Sequence, residues 1–319
     1  MPASVNEAAL PHVEELSVRA DELGVLVEDV GGATLIDAGL NARGGYQAGL
    51  IITRICLGGL GDAELTTMKI GEVTLPAIAV STDQPAVATL ASQLAGWRIN
   101  VGGFRAIGSG PARALALKPK RVYEEIGYRD AADVAVIVLE ADTKPSVDAL
   151  SFISERCGVD MENLYAILVP TNSVAGLVQI SGRVVETGVH KLEGLGLNPT
   201  RILHGFGVAP IAPLHRSSEV CMGRSNDAIL YGGITHYTIE GEDEELMGLA
   251  AKAPSSTSKD YGRPFHQIYQ EAGKDFYRID PGLFAPAQIS ITNPETGSVY
   301  TSGGVNEEIL LRSFGIKAV

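Results

Sequence analysis

The chain has 319 residues, 45% of them hydrophobic, enough for one large or two ordinary domains with a sizeable core, which excludes a disordered chain. Its 25 Lys+Arg against 38 Asp+Glu leave a net charge of -13, which repels nucleic acid and anionic membrane surfaces and favours a small-molecule partner. The scattered Cys56, Cys157 and Cys221 exclude a disulfide scaffold, and the absence of a signal-peptide core or a run of about 18 uncharged apolar residues predicts a cytoplasmic protein without a transmembrane helix.

In chain order, Ser4–Leu23 is acidic and amphipathic and reads as a helix, with Asn6 as its cap and Pro11 in its first turn or ahead of a later start. Strands are expected at Val25–Asp29 and Ala33–Asp37 around Gly31 and Gly32. Gln47–Leu57 reads as a helix stopped by Gly58 and Gly59, and Ala63–Ile70 with Val73–Val80 as a hairpin around Gly71. Thr82–Ala95 then reads as a helix capped by Thr82 or Asp83 and stopped by Gly96. The apolar runs Asp133–Glu140 and Leu164–Pro170 predict strands buried on both faces, separated by a helix at Ser146–Arg156. A long helix over Val174–Leu195 and a third such strand at Arg201–Phe206 follow. The tail returns to a hairpin, Gln288–Thr292 with Ser298–Ser302, and a last helix capped by Asn306. These elements predict an α+β (mixed α/β) fold of two domains, residues 1–95 joined by about 270–319, and residues 96–269.

Several chemistries find no support in the pattern. Six histidines, His12, His190, His204, His215, His236 and His266, show no metal-ligand spacing, so no metal is expected. No G-x-S-x-G elbow occurs, and the glycine runs at Gly58–Gly61 and Gly108–Gly110 match neither dinucleotide nor P-loop fingerprints. The segment Gly108–Leu115 does place glycines and Pro111 ahead of a helix start, where free N–H groups and Arg113 could hold an anion; a capped turn is the plainer reading.

Winding Val174–Leu195 at about 100° per residue puts Val174, Leu177, Val178, Val185, Val189 and Leu192 on one apolar face, with small Ser181 and Gly188 among them. Gln179, Arg183, Glu186 and His190 share the opposite face. Helix patterning alone makes Arg183 and Glu186 a surface ion pair worth about 0.3 kcal/mol. Beside a cleft, the same spacing lets the carboxylate take a proton from a water that the guanidinium helps to hold. Periodicity does not choose between the two.

The segments Ser92–Trp97 (SQLAGW), Gly108–Lys120 (GSGPARALALKPK), Ile180–Thr187 (ISGRVVET) and Asp260–Phe265 (DYGRPF), with Cys56–Leu60 and Phe284–Ile289, resemble methenyltetrahydromethanopterin cyclohydrolases, in order and over nearly the whole chain. The resemblance implies a cytoplasmic hydrolase of one-carbon metabolism that interconverts methenyl- and 5-formyl-tetrahydromethanopterin by adding or removing water. It implies no metal or redox cofactor, the pterin being the substrate carrier, and a homotrimer of two-domain subunits with the pterin in an interdomain cleft. By motif, the active site carries over to Gln93, Leu94, Ala95, Arg183 and Glu186, with Glu186 as general base and Arg183 as its positioning and electrostatic partner. Many relatives carry Lys where this chain has Leu94, so any contact from that ammonium is lost here. Two further expectations are that Gln179 lines the pocket and that the Gly108–Arg113 turn, with Ser109 and Arg113, lies near the pterin or its tail.

Overall fold

The computed structural model describes residues 4–316. Among them run the strands β1 (Leu26–Val30), β2 (Ala33–Asp37), β3 (Asp62–Ile70), β4 (Val73–Thr82), β5 (Trp97–Val101) and β6 (Phe104–Ser109). The second half supplies β7 (Ala135–Glu140), β8 (Leu164–Leu168), β9 (Ile202–Pro210), β10 (Ile234–Ile239), β11 (Gln288–Thr292) and β12 (Val299–Gly303). They form two six-stranded sheets, ordered β1-β2-β8-β7-β6-β5 and β12-β11-β10-β9-β4-β3. With helices against both, the fold is α+β.

Each sheet belongs to its own compact unit, one comprising the chain up to Ala63 with Ala86–Gln179, the other Glu64–Pro85 with the chain from Ile180 onward. The expected boundaries at 95/96 and 269/270 are therefore corrected. The physical reason is strand pairing. β4 pairs antiparallel with β9, which carries residues 64–85 into the second sheet, and β11 pairs parallel with β10, which keeps the tail there too. The strand expected at 201–206 likewise lies between β4 and β10 and not beside β7 and β8.

In the first unit, the apolar run of β7 is buried on both faces as its composition predicts. Ile137 and Leu139 pack with Leu35, Trp97, Phe104, Ala149 and Ile153 on one side of the sheet. Val136 and Val138 pack with Ile36, Val13, Leu16, Ile52 and Ile55 on the other. Helix Val147–Cys157 covers the first face, and helices Val5–Val18 and Tyr46–Cys56 the second. The parallel pairs β2/β8 and β7/β8 need such crossover helices, whereas β5 and β6 join through Gly102-Gly103, both at positive φ, as a tight hairpin.

Asn6 is not the cap of the first helix. Ser4 is, its side chain accepting Glu7 N at 3.1 Å, and Pro11 sits inside the helix beyond the first turn. Asn6 is instead fully buried: its Nδ2 donates to Asp130 Oδ2 at 2.7 Å and Pro111 O at 3.0 Å, and its Oδ1 accepts Val136 N at 2.9 Å. It ties the helix start to the beginning of β7.

In the second unit, helices Ser218–Leu230, Phe265–Glu271 and Glu307–Phe314 meet at buried Asp227, which accepts Phe265 N at 2.9 Å and the Ser313 hydroxyl. Burial pushes the Asp227 pKa from its ordinary 3.8 up to about 7, against the pull of both hydrogen bonds. Between those values the folded chain holds a proton that the unfolded chain has released, so this group makes stability fall as pH rises, by up to about 1.4 kcal/mol per pH unit. The variant Asp227→Asn keeps an acceptor for Phe265 N and a partner for Ser313 but does not ionise. Urea melts at pH 5 and pH 8 should show a smaller acid-to-alkaline loss in the variant than in the wild type.

Candidate active site

The helix predicted over 174–195 is two helices, Val174–Ser181 and Val184–Gly194, with Gly182 and Arg183 between them. Arg183 has φ −85° and ψ 6° and caps the second helix, its carbonyl accepting Thr187 N at 2.8 Å and the Thr187 hydroxyl at 2.9 Å. A stripe laid out on one continuous helix is therefore corrected at this break. Gln179, Arg183 and Glu186 are buried at 1%, 8% and 7% exposure, whereas the His190 side chain is 48% exposed and lies 3.9 Å from Glu193. The surface ion pair is excluded by these burials. Burying two such groups is costly without compensating contacts, and both are engaged by polar or charged neighbours.

Glu186 stands at the third position of its helix, where the N-terminal dipole favours negative charge. The first turn of that helix is held from below. Tyr237 on β10 is buried, and its hydroxyl donates to Val185 O at 2.8 Å. Burial first, and then the charge of Glu186, push the Tyr237 hydroxyl pKa up, so it remains a donor. Gly188 makes room for it: a Cβ there would lie 2.0 Å from Tyr237 Oη. Gly205 and Gly207 on β9 face the same helix, where added Cβ atoms would meet Val185 and Val184 at 2.9 and 3.0 Å. Further along, Lys191 Nζ donates to Gly282 O at 2.8 Å, and burial pulls its pKa down. Tyr237 and Lys191 escaped the sequence reading; the signal for Tyr237 was Gly188, a small residue on an otherwise bulky apolar face.

The segment expected as an α-helix over 82–95 differs from that expectation, residues 82–85 belonging to the second unit and 86–95 to the first. Thr82 ends β4, Asp83 Oδ1 lies 2.8 Å from His204 Nδ1, and the helix is a π-helix, Ala86–Gln93. π-Winding is rare and concentrates at functional positions. Gln93 at its end is fully buried, Leu94 is half-buried and Ala95 is exposed. The segment is anchored by Ser92, whose hydroxyl donates to Cys56 O at 2.6 Å.

At the Gly108–Arg113 turn, for which a capped turn is the plainer reading, the groups that could have held an anion are engaged within the fold. Gly110 N is spent on Ser92 O at 2.9 Å, the helix Ala112–Ala116 has five residues, and the guanidinium of fully buried Arg113 donates to the carbonyls of Leu90 and Ser92. Ser109 is buried with its hydroxyl 3.9 Å from Cys56 Sγ. A cavity of about 370 Å³ in the same unit is lined by Arg98, Asn100, Arg105, Ile107, Glu140 and Thr171, none of them expected at the site. Among the described residues no group of three or more His, Cys, Asp or Glu lies together as a metal site, and no helix is long and apolar enough to cross a membrane.

The motifs around these residues have known counterparts. The sequence profile of the family described as Cyclohydrolase (MCH) matches residues 4–314. The chain is 48% identical over 320 residues to the methenyltetrahydromethanopterin cyclohydrolase of Methanococcoides burtonii, covering 99% of each chain. It belongs to the methenyltetrahydromethanopterin cyclohydrolase family. Proteins of the same name from Methanosarcina barkeri and Methanothermobacter thermautotrophicus are each 47% identical, over 99% and 98% of this chain and 99% of their own. The match spans both sheets and takes in the π-helix and the Arg183–Glu186 segment.

Packing under Glu186 yields a direct test. Gly188→Ala should cost stability by about 2 kcal/mol through overpacking against Tyr237, and Tyr237→Phe about 1 kcal/mol through the lost hydrogen bond. Because the hydroxyl is what the new methyl strikes, the double variant should lose clearly less than the sum in denaturation experiments.

Proposed function

We propose that the protein is a methenyltetrahydromethanopterin cyclohydrolase that adds water to the methenyl bridge and releases 5-formyl-tetrahydromethanopterin, reversibly. The observation that carries this reading is the burial of Arg183 and Glu186 at a helix start inside the family's motif. The amidinium-like carbon of the substrate is already electrophilic, so the chain's task is to deliver and deprotonate a water. Glu186 takes that proton as general base, the O–C bond forms, and the electron pair of the cation settles on nitrogen. The proton then passes to the leaving nitrogen as the tetrahedral adduct opens its C–N bond, and the adduct's hydroxyl gives its own proton to solvent as the formyl C=O forms, so that one proton is released for each cation hydrolysed. Arg183 holds the water and carboxylate in line and keeps Glu186 ionised by its positive charge.

In this reading Gln93 and the backbone of Leu94 and Ala95 contact the pterin, with the ammonium that many relatives carry absent at Leu94, and Gln179 lines the pocket. Ser109 and Arg113 support the site from beneath and do not touch the substrate. An acidic protein suits a cationic bound group. The reading also includes the cytoplasmic homotrimer that the resemblance implies; light scattering on the purified protein measures the assembly directly.

The decay of methenyltetrahydromethanopterin absorbance tests the chemistry. Glu186→Gln preserves shape and a residue type accepted at the third helical position. It should fold as the wild type, keep KM within a few-fold and lose kcat by at least about 100-fold. Equal turnover in variant and wild type would remove Glu186 as the base.

A further inference from the structure

The carbonyl end of the π-helix Ala86–Gln93 is closed by groups from outside it. In π-winding each carbonyl accepts from the N–H five residues on. Leu94 N to Thr89 O, 2.8 Å, is such a bond, after which the chain leaves the helical path, Gly96 N donating to Leu94 O at 2.9 Å. The carbonyls of Leu90, Ala91 and Ser92 are left at the open end, and buried carbonyls must find partners. Each has one. Arg113 Nη1 donates to Ser92 O at 2.9 Å and, with Nη2, to Leu90 O at 3.2 Å; Tyr123 Oη donates to Ala91 O at 2.7 Å; and Gly110 N adds a second donor to Ser92 O at 2.9 Å.

This arrangement is more specific than core packing requires. Arg113 is wholly buried, and a positive charge at a helix carbonyl end is favoured by the dipole and by charge-assisted bonds. Gly96 leaves space for it: a Cβ at that position would lie 2.8 Å from Arg113 Nη2 and 2.7 Å from Pro119 Cδ. The contacts end at Ser92, one residue before Gln93.

We infer that Arg113 and Tyr123 are positioning residues that lock the carbonyl end of the π-helix and so hold Gln93, its last residue, in place for the substrate. The inference rests on the reading that this segment contacts the pterin. A site must hold its contacts to within about 0.5 Å, and a helix end with unclosed carbonyls does not provide that.

The test is a double-mutant cycle in the cyclohydrolase assay, with wild type, Tyr123→Phe, Arg113→Lys, Gln93→Ala and Gln93→Ala/Tyr123→Phe, each checked by thermal melting. Lysine keeps the charge but cannot span two carbonyls as the guanidinium does. Tyr123→Phe and Arg113→Lys should each lower kcat/KM about tenfold, and Tyr123→Phe should cost less than about twofold once Gln93 is alanine. Unchanged kcat/KM in Tyr123→Phe, or a full tenfold loss in the Gln93→Ala background, overturns the inference. If the lysine variant does not fold, the Tyr123 pair decides alone. A wild type without turnover overturns both the functional reading and this inference, which distinguishes that failure from a failure of positioning alone.

Discussion

Burial of charge at the start of helix Val184–Gly194 is the constraint on which the second unit turns. A guanidinium and a carboxylate withdrawn from water demand a surrounding that does not move, because low dielectric raises both the value of good contacts and the cost of poor ones. The sheet beneath supplies this. Gly205 and Gly207 let the helix settle close to β9, Gly188 admits the Tyr237 ring, and the Tyr237 hydroxyl takes Val185 O one residue before Glu186. Backbone, side chain and glycine clearance thus act on the same turn.

The first unit solves a related problem with opposite polarity. There it is carbonyls, not charged side chains, that are stranded, at the end of a π-helix that stops at Gln93. A buried arginine and a tyrosine complete them, and both reach in from Ala112–Ile126, the stretch that follows β6. Helix ends expose unpaired backbone groups by construction, so they are where a fold can place polar atoms accurately if it provides partners. Each unit uses such an end for residues of the family's motifs.

Much of this architecture is legible in the sequence where one physical rule dominates. β7 and β8 stand out because burial on both faces demands an unbroken apolar run, and β2 and the β11/β12 hairpin because alternation and turn residues agree. What strands do after they form is not local. Nothing in Ile202–Pro210 says that it pairs with β4, 120 or so residues earlier, and that pairing sets the unit boundaries. The hairpin of β5 and β6 had a readable signal in Gly102-Gly103 flanked by alternating residues, yet it escaped the reading. The π-helix and the break at Gly182 stayed hidden because periodicity assumes uniform α-winding, and a single glycine in a helical pattern is often tolerated.

The two arginines of the motifs show why residue type alone misleads. Arg113 and Arg183 both sit in glycine-containing segments, and both suggest an anion or a polar ligand when read as a pattern. Their surroundings separate them. The guanidinium of Arg113 donates to the backbone carbonyls of Leu90 and Ser92, so its contribution passes through the segment it holds. Arg183 caps a helix through its own backbone carbonyl, and it stands one turn from a buried carboxylate. Gly96, whose Cβ would strike Arg113, and Gly188, whose Cβ would strike Tyr237, mark the two holding residues more clearly than either side chain does. Where a glycine is required by what lies against it, the neighbour that requires it is the residue to examine for a positioning role.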